Sequence, residues 1–266
     1  MAPIIALTGA TDGIGYATAR SLCERGATVL IHGRSEPKAR RIVEQLQNDY
    51  PKTICHPLWA DLTHMPQVVD LAAQIRAVAP TLDVLINNAG VYTKTRQTNS
   101  DGFELHMCVN HFAHFLLVHY LTDLLSTNHS RIINVSSMTH AEGELDLSDL
   151  NIQRQWDPYT AYATSKQANI LFTNALARAG KSWTANALHP GVIATKLLHA
   201  GFGGGGDAVE QGAKTSVYLA LDNKAGRMNG EYFVNTRKAR ADKRARDPKL
   251  ADALWEKSLQ ALSAYL

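Results

Sequence analysis

The sequence predicts an α/β fold: a three-layer, doubly wound parallel sheet of about seven strands with helices on both faces. Short apolar runs alternate with amphipathic helical segments almost from end to end. Several of those runs are unbroken Val/Ile/Leu without polar alternation, as required when helices cover both faces of a sheet. No internal repeat or linker divides the 266 residues. They read as one domain spanning 1–266, long enough to bury a substantial core.

The strand candidates, in order, are Ile4–Leu7, Thr28–Ile31, Thr53–Leu58, Asp83–Ile86, Arg131–Val135, Thr184–Leu188 and Glu231–Val234. Helical periodicity fills Ile14–Glu24, Glu36–Asn48, Pro66–Val78, Gly102–Ser126, Tyr159–Ala179, Ala208–Leu221 and Pro248–Ala264. This is the rhythm of right-handed βαβ crossovers. Two segments lack a period and read as irregular and mobile. One is Thr139–Pro158. The other is Val192–Asp207, which contains four consecutive glycines, Gly203 to Gly206.

The first strand runs into Thr8-Gly9-Ala10-Thr11-Asp12-Gly13-Ile14-Gly15. Glycines at G-x-x-x-G-x-G spacing, at a strand-to-helix junction, form one variant of the dinucleotide-binding turn. They allow a tight turn and close approach of a pyrophosphate, and the helix N-terminus faces the phosphate charge. Where a carboxylate would bind the ribose hydroxyls of NAD, the second strand instead leads into Arg34 and Ser35. A guanidinium can pair with a 2′-phosphate through two hydrogen bonds, so NADP(H) is expected over NAD(H), with Glu36 a mild counterweight.

Tyr162 and Lys166 stand four residues apart in an Ala-rich run without Pro or Gly. On a helix they share a face. A phenol with a pKa of about 10 is a poor acid or base at neutral pH, and a nearby ammonium would lower that value. The pair is a candidate proton-transfer device. Tyr159 has Ala163 where a lysine would be needed.

Composition narrows the remaining classes. Hydrophobic content of 45% and charged content of 19% describe a globular chain. A net charge of +3 gives no case for nucleic acid. The basic run Arg237 to Arg246 is interleaved with Ala and Asp and reads as a solvated segment. Cys23, Cys55 and Cys108 have no metal or redox spacing, which fits a reducing, cytoplasmic compartment. No apolar run is long enough to span a membrane. His106, His111, His114 and His119 share one helix but lack H-E-x-x-H spacing, so no metal is expected.

With these residues in view, the chain resembles the short-chain dehydrogenase/reductase family, whose fold is the Rossmann fold. The motifs occur in the family's order: Thr8–Gly15, Asp61-Leu62, Asn87-Asn88-Ala89-Gly90, Asn110, Ser136-Ser137, Tyr162/Lys166 and Pro190-Gly191-Val192-Ile193-Ala194-Thr195. It is most similar to the retinol-dehydrogenase-like branch, through Val109 to Leu117, the insertion between Ser137 and Tyr162, and Gly230-Glu231-Tyr232-Phe233 with Leu254-Trp255-Glu256. It is expected to depart from that branch in lacking the N-terminal membrane anchor common among vertebrate members.

The resemblance implies a catalytic tetrad of Asn110, Ser137, Tyr162 and Lys166. It implies cofactor contacts from Gly9, Thr11, Asp12, Gly13, Ile14 and Gly15, from Asp61 and Leu62 at the adenine, and from Asn88, Ala89 and Gly90. Pro190, Gly191, Val192 and Thr195 would hold the nicotinamide, and Tyr162 and Lys166 its ribose. Asn110, through its backbone and a water, would link Lys166 to solvent. The expected activity interconverts an alcohol and a carbonyl, with Tyr162 as general acid or base, and substrate contacts from about 138–159 and 193–207. A homodimer or homotetramer is expected through helices at about 102–126 and 159–179. Two other readings stand beside this one: a dinucleotide-binding sensor without turnover, and a sugar-nucleotide epimerase or dehydratase, which shares the Tyr-x-x-x-Lys pair.

Overall fold

A computed structural model describes residues 2–125, 130–179 and 182–266. Its eight-stranded sheet has the order β3-β2-β1-β4-β5-β6-β7-β8. The strands are β1 (Ile4–Leu7), β2 (Thr28–Gly33), β3 (Cys55–Trp59), β4 (Val84–Asn87), β5 (Ser130–Val135), β6 (Trp183–His189), β7 (Tyr232–Val234) and β8 (Arg237–Ala239). All pairings are parallel except β7 with β8. Strand order reverses between β1 and β4. The crevice beyond their C-terminal ends is where such a sheet binds ligands.

The helices are α1 (Gly13–Glu24), α2 (Glu36–Asp49), α3 (Met65–Val78), α4 (Leu105–Met107), α5 (Ala113–Leu121), α6 (Pro158–Arg178), α7 (Lys196–Phe202), α8 (Val209–Leu221) and α9 (Pro248–Ala261). One apolar layer packs α3, α5, α6 and α9 against the sheet; the other packs α1, α2 and α8 against its opposite face. Strands such as Val84–Asn87 are buried throughout, which accounts for their unbroken apolar sequence.

Four differences from the sequence reading have physical reasons. The eighth strand is three residues of a basic run, turned back on β7 by Asn235 and Thr236 at φ 49° and 61°. Both central residues are left-handed, as a two-residue hairpin requires, but neither is the glycine that usually signals it. The helix expected over Gly102–Ser126 starts at Leu105, capped by the Glu104 carboxylate, which accepts from Met107 N at 3.0 Å. It passes through a π-helical stretch, Cys108–Phe112, that contains Asn110, and its last regular turn ends at Leu121; Ser126 lies outside the described residues. Within Val192–Asp207, Thr195 caps the short helix α7, and Gly203 ends it at φ 84°. Finally, α9 covers the outer face of α5 and α6. Trp255 packs on Phe115 and Phe172 with ring centroids 4.8 and 5.9 Å apart, and His111 Nε2 lies 2.9 Å from Ser258 Oγ. The chain's own C-terminal helix thus contacts both α5 and α6. Among the described residues, no helix is long and apolar enough to cross a membrane.

Candidate active site

The turn after β1 is built from backbone at close quarters. Gly9 and Gly13 adopt φ 65° and 50°, in the region that favours glycine. A Cβ on Gly15 would collide with the Gly9 carbonyl oxygen and approach Asn88 Nδ2 to 2.7 Å. Asp12 caps α1 by accepting from Gly13 N at 2.9 Å. Thr8 Oγ1 accepts from Asn88 N and Ala89 N at 2.9 and 3.0 Å, joining the ends of β1 and β4. Buried His32 braces the same turn: burial pushes its pKa down to about 4, so the ring is neutral. Its Nδ1 accepts from Gly9 N at 3.1 Å, which leaves Nε2 to donate to Ala60 O at 3.0 Å.

A cleft of about 1020 Å³ opens from this turn. Every residue that the sequence reading assigned to the cofactor lines it: Gly9, Thr11, Asp12, Gly13, Ile14 and Gly15; Arg34 and Ser35; Asp61 and Leu62; Asn88, Ala89 and Gly90; Tyr162 and Lys166; Pro190, Gly191, Val192 and Thr195. Ser137 lines it too, whereas Asn110 stands behind the wall. The glycine cradle, a helix N-terminus and a basic end at Arg34 fit a dinucleotide. Lys38 also lines that end and went unread as an ordinary residue of an amphipathic helix. Asp12 has other duties besides the turn: it pairs with Lys38 at 3.5 Å and with Lys196 of α7 at 2.6 Å. Glu36 does not line the cleft and pairs with Arg40 at 2.7 Å.

At the other end lie Tyr162, Ser137 and Lys166, all buried. Asp157 caps α6 through Tyr159 N and Thr160 N, and so fixes the helix that carries both Tyr162 and Lys166. The two serines after β5 face apart. Ser136 Oγ donates to Lys166 O at 2.7 Å, while Ser137 hydrogen-bonds the Tyr162 hydroxyl. Lys166 Nζ donates to Val135 O at 3.1 Å and lies 5.5 Å from the centre of the Tyr162 ring. Burial pushes the Lys166 pKa down to about 8.

Tyr162 departs from the sequence expectation. Burial raises its pKa above the ordinary tyrosine value, and the Ser137 hydrogen bond offsets this only in part. The phenol is protonated at neutral pH, the state that a proton donor needs. Asn110 is engaged on all sides. Oδ1 accepts from Val91 N at 2.8 Å, Nδ2 donates to Ser165 Oγ at 2.9 Å, and its backbone carbonyl lies 3.1 Å from His114 Nδ1. It ties the segment after β4 to α6.

Sequence reasoning missed Tyr92 in the wall of the cleft. Tyr92 lies 5.5 Å from Tyr162 and 5.4 Å from Phe202, centroid to centroid. Its signal was its place, two residues after Asn87-Asn88-Ala89-Gly90. Behind it, Glu104 and His106 form a fully buried pair at 2.7 Å. Trp156 Nε1 donates to the same carboxylate at 3.0 Å, and Thr93 N donates to His106 Nε2 at 3.0 Å. Burial works against the Glu104 carboxylate, but the bonds from His106, Met107 and Trp156 outweigh it and hold the pKa below the ordinary range. Met138, 58% exposed, and Val192, 49% exposed, give the mouth an apolar rim.

A family model described as short chain dehydrogenase matches residues 3–202. The chain is 34% identical to human polyprenol dehydrogenase over 96% of its own length and 83% of the relative's. It is 35% identical to mouse retinol dehydrogenase 12, over 97% and 86%. Among solved structures, an uncharacterised protein from Mycobacterium paratuberculosis superimposes with a TM-score of 0.82 at 32% identity, covering 98% of this chain and 93% of that one. A blue fluorescent protein from a metagenomic library, solved in complex with NADPH, gives 0.70 at 25% identity, covering 86% and 94%. The cleft, the glycine turn and these likenesses agree: the chain belongs to the short-chain dehydrogenase/reductase family, in its retinol-dehydrogenase-like branch, and is an NAD(P)-dependent oxidoreductase.

Proposed function

We propose that this oxidoreductase prefers NADP(H) and interconverts an alcohol and a carbonyl on a lipophilic substrate, with Tyr162 as general acid in the reductive direction. One observation carries the reading. The buried, protonated Tyr162 hydroxyl is hydrogen-bonded to Ser137 in the same cleft that holds the glycine turn and Arg34.

When bound, the nicotinamide supplies or accepts the hydride, and proton handling falls to the protein. As charge develops on a substrate carbonyl oxygen, Tyr162 donates its proton to it and Ser137 holds it by a hydrogen bond. Lys166, still largely charged below about pH 8, favours the phenolate left behind. Asn110 is a positioning residue for this group. Its backbone carbonyl, 3.1 Å from His114 Nδ1, keeps a second lone pair for the water that would link Lys166 to solvent. Arg34, with Lys38 and Ser35 beside it, supplies the charge and donors for a 2′-phosphate. The aromatic wall of Tyr92, Tyr159 and Phe202 and the apolar rim favour a lipophilic partner, as do the names of the polyprenol and retinol relatives.

The test is NADPH oxidation over a panel of retinaldehyde, long-chain aldehydes, ketosteroids and quinones. Apolar carbonyls should turn over with a higher kcat/KM than short polar ones. NADPH binding without turnover of any member would favour the sensor reading instead.

A further inference from the structure

A second cavity, of about 360 Å³, lies between α6, the end of β6 and the β7–β8 hairpin, away from the cleft. Its polar lining includes Asn174, Glu231, Tyr232, Lys238, Arg240 and Arg246. Lys238 is neutralised by Glu231 at 2.7 Å. Among the described residues, neither Arg240 nor Arg246 forms an ion pair with a carboxylate. Arg246 Nε donates to Ala241 O at 2.9 Å, which anchors the guanidinium at the cavity's edge. Tyr232 is 6% exposed and its hydroxyl has no partner among the described residues. Burial raises its pKa, so it remains an O–H donor. A buried donor without an acceptor is costly. The lining thus offers two exposed guanidinium groups without a carboxylate partner among the described residues, and one buried donor.

The segment beyond Arg240 is bonded to the turn that carries Ser137. Asp242 N donates to His140 Nε2 at 3.0 Å, and the opposite ring nitrogen, Nδ1, donates to Ser137 O at 2.6 Å. Arg244 donates to Ala141 O at 2.7 Å in the same turn.

We propose that this cavity binds the phosphate group of a small phosphorylated molecule, and that its occupancy is felt at Ser137 through Asp242 and His140. Two guanidinium groups match a dianion and suit the geometry of a phosphate. The volume is at the low end of small-molecule sites, about 300–1,000 Å³.

The test is calorimetric titration of the full chain with inorganic pyrophosphate, with the cofactor cleft filled by NADP⁺ so that Arg34 is engaged. One binding event is expected. An Arg240→Ala/Arg246→Ala variant should bind about tenfold to a hundredfold more weakly. Tyr232→Phe, which keeps the ring packing, should weaken binding by a smaller factor. Pyrophosphate should also change the rate of NADPH oxidation in the unaltered chain and leave the arginine variant's rate unchanged. The absence of binding at millimolar pyrophosphate, or binding indifferent to both arginines, would overturn the site. Binding without any change of rate would overturn the link to Ser137. The titration is independent of the catalytic reading, whereas the rate readout rests on the role proposed above for Ser137. A failure of one is therefore distinguishable from a failure of the other.

Discussion

The turn after β1 and the segment 138–159 border the same cleft and are held by opposite means. The turn is fixed by what it lacks: at Gly15 there is no room for a Cβ, and Gly9 and Gly13 use left-handed backbone. The segment, beyond a 3₁₀ turn at Met138–Glu142, has no regular element, and side chains hold it in place. Thr164 and Gln167 accept from Glu144 N and Leu145 N, Asp146 and Asp149 hold Arg154, and Glu104 takes the Trp156 indole. A cofactor common to many enzymes demands one backbone shape. A substrate pocket is shaped by long-range side-chain bonds that each chain arranges for itself.

Breaking the turn should have the largest effect. Gly15→Ala forces a Cβ into the Gly9 carbonyl, an overpacking cost of about 1–3 kcal/mol or more. Equilibrium dialysis should show dinucleotide binding lost, or the chain should fail to accumulate folded. Breaking the other side should be milder and differently distributed. Glu104→Gln removes the charge from three hydrogen bonds and should cost about 1.5–3 kcal/mol in urea unfolding. It should also raise KM for substrate more than KM for the cofactor, because the Glu104–His106 pair and Trp156 back Tyr92, which lines the cleft beside Tyr162. Equal rises in both KM values would show the two regions to be one mechanical unit.

Arg34→Ala sharpens the comparison within the cofactor half. It should lower the NADPH/NADH ratio of kcat/KM by about tenfold to a hundredfold and leave the melting temperature in place. An unchanged ratio would remove the case for NADP.

The last effect concerns pH and is shared among four buried histidines. Burial depresses the pKa values of His32 and His189 to about 4 and of His111 and His114 to about 3. Unfolded, each would titrate near 6.5. Below that value the unfolded chain binds more protons than the folded one. The stabilisation is therefore complete above about pH 6.5 and is lost as pH falls toward 4, by up to about 1.4 kcal/mol per pH unit for each histidine. His32 connects this to the glycine turn, since its protonation would remove the acceptor of Gly9 N. Chemical denaturation between pH 7 and 5 should show the fall, and His32→Gln should flatten part of it.

The same contrast explains what could be read from the sequence. The alternation of strands and helices, the glycine turn and Tyr162/Lys166 rest on local spacing, and local spacing is visible in one dimension. Strands such as β1, β2 and β4 carry continuous apolar runs, whereas β8 is Arg237–Ala239, which has none. The helix α7 is too short to show a period, and its cap at Thr195 looks like any loop threonine. Glu104, His106 and Tyr92 act through partners distant in the chain, Trp156 and Phe202 among them, so no window of sequence contains the cluster. The covering of α5 and α6 by α9 was hidden for the same reason: Trp255 meets Phe115 only in three dimensions.

The central claim is that Tyr162 is the proton donor of this cleft. Tyr162→Phe keeps the ring and its contacts and removes only the hydroxyl. Single-turnover oxidation of NADPH with the best carbonyl of the panel should fall by about 10²–10⁴-fold, with cofactor affinity and melting temperature unchanged. A rate within a few-fold of the unaltered chain would contradict the account and place the acid elsewhere.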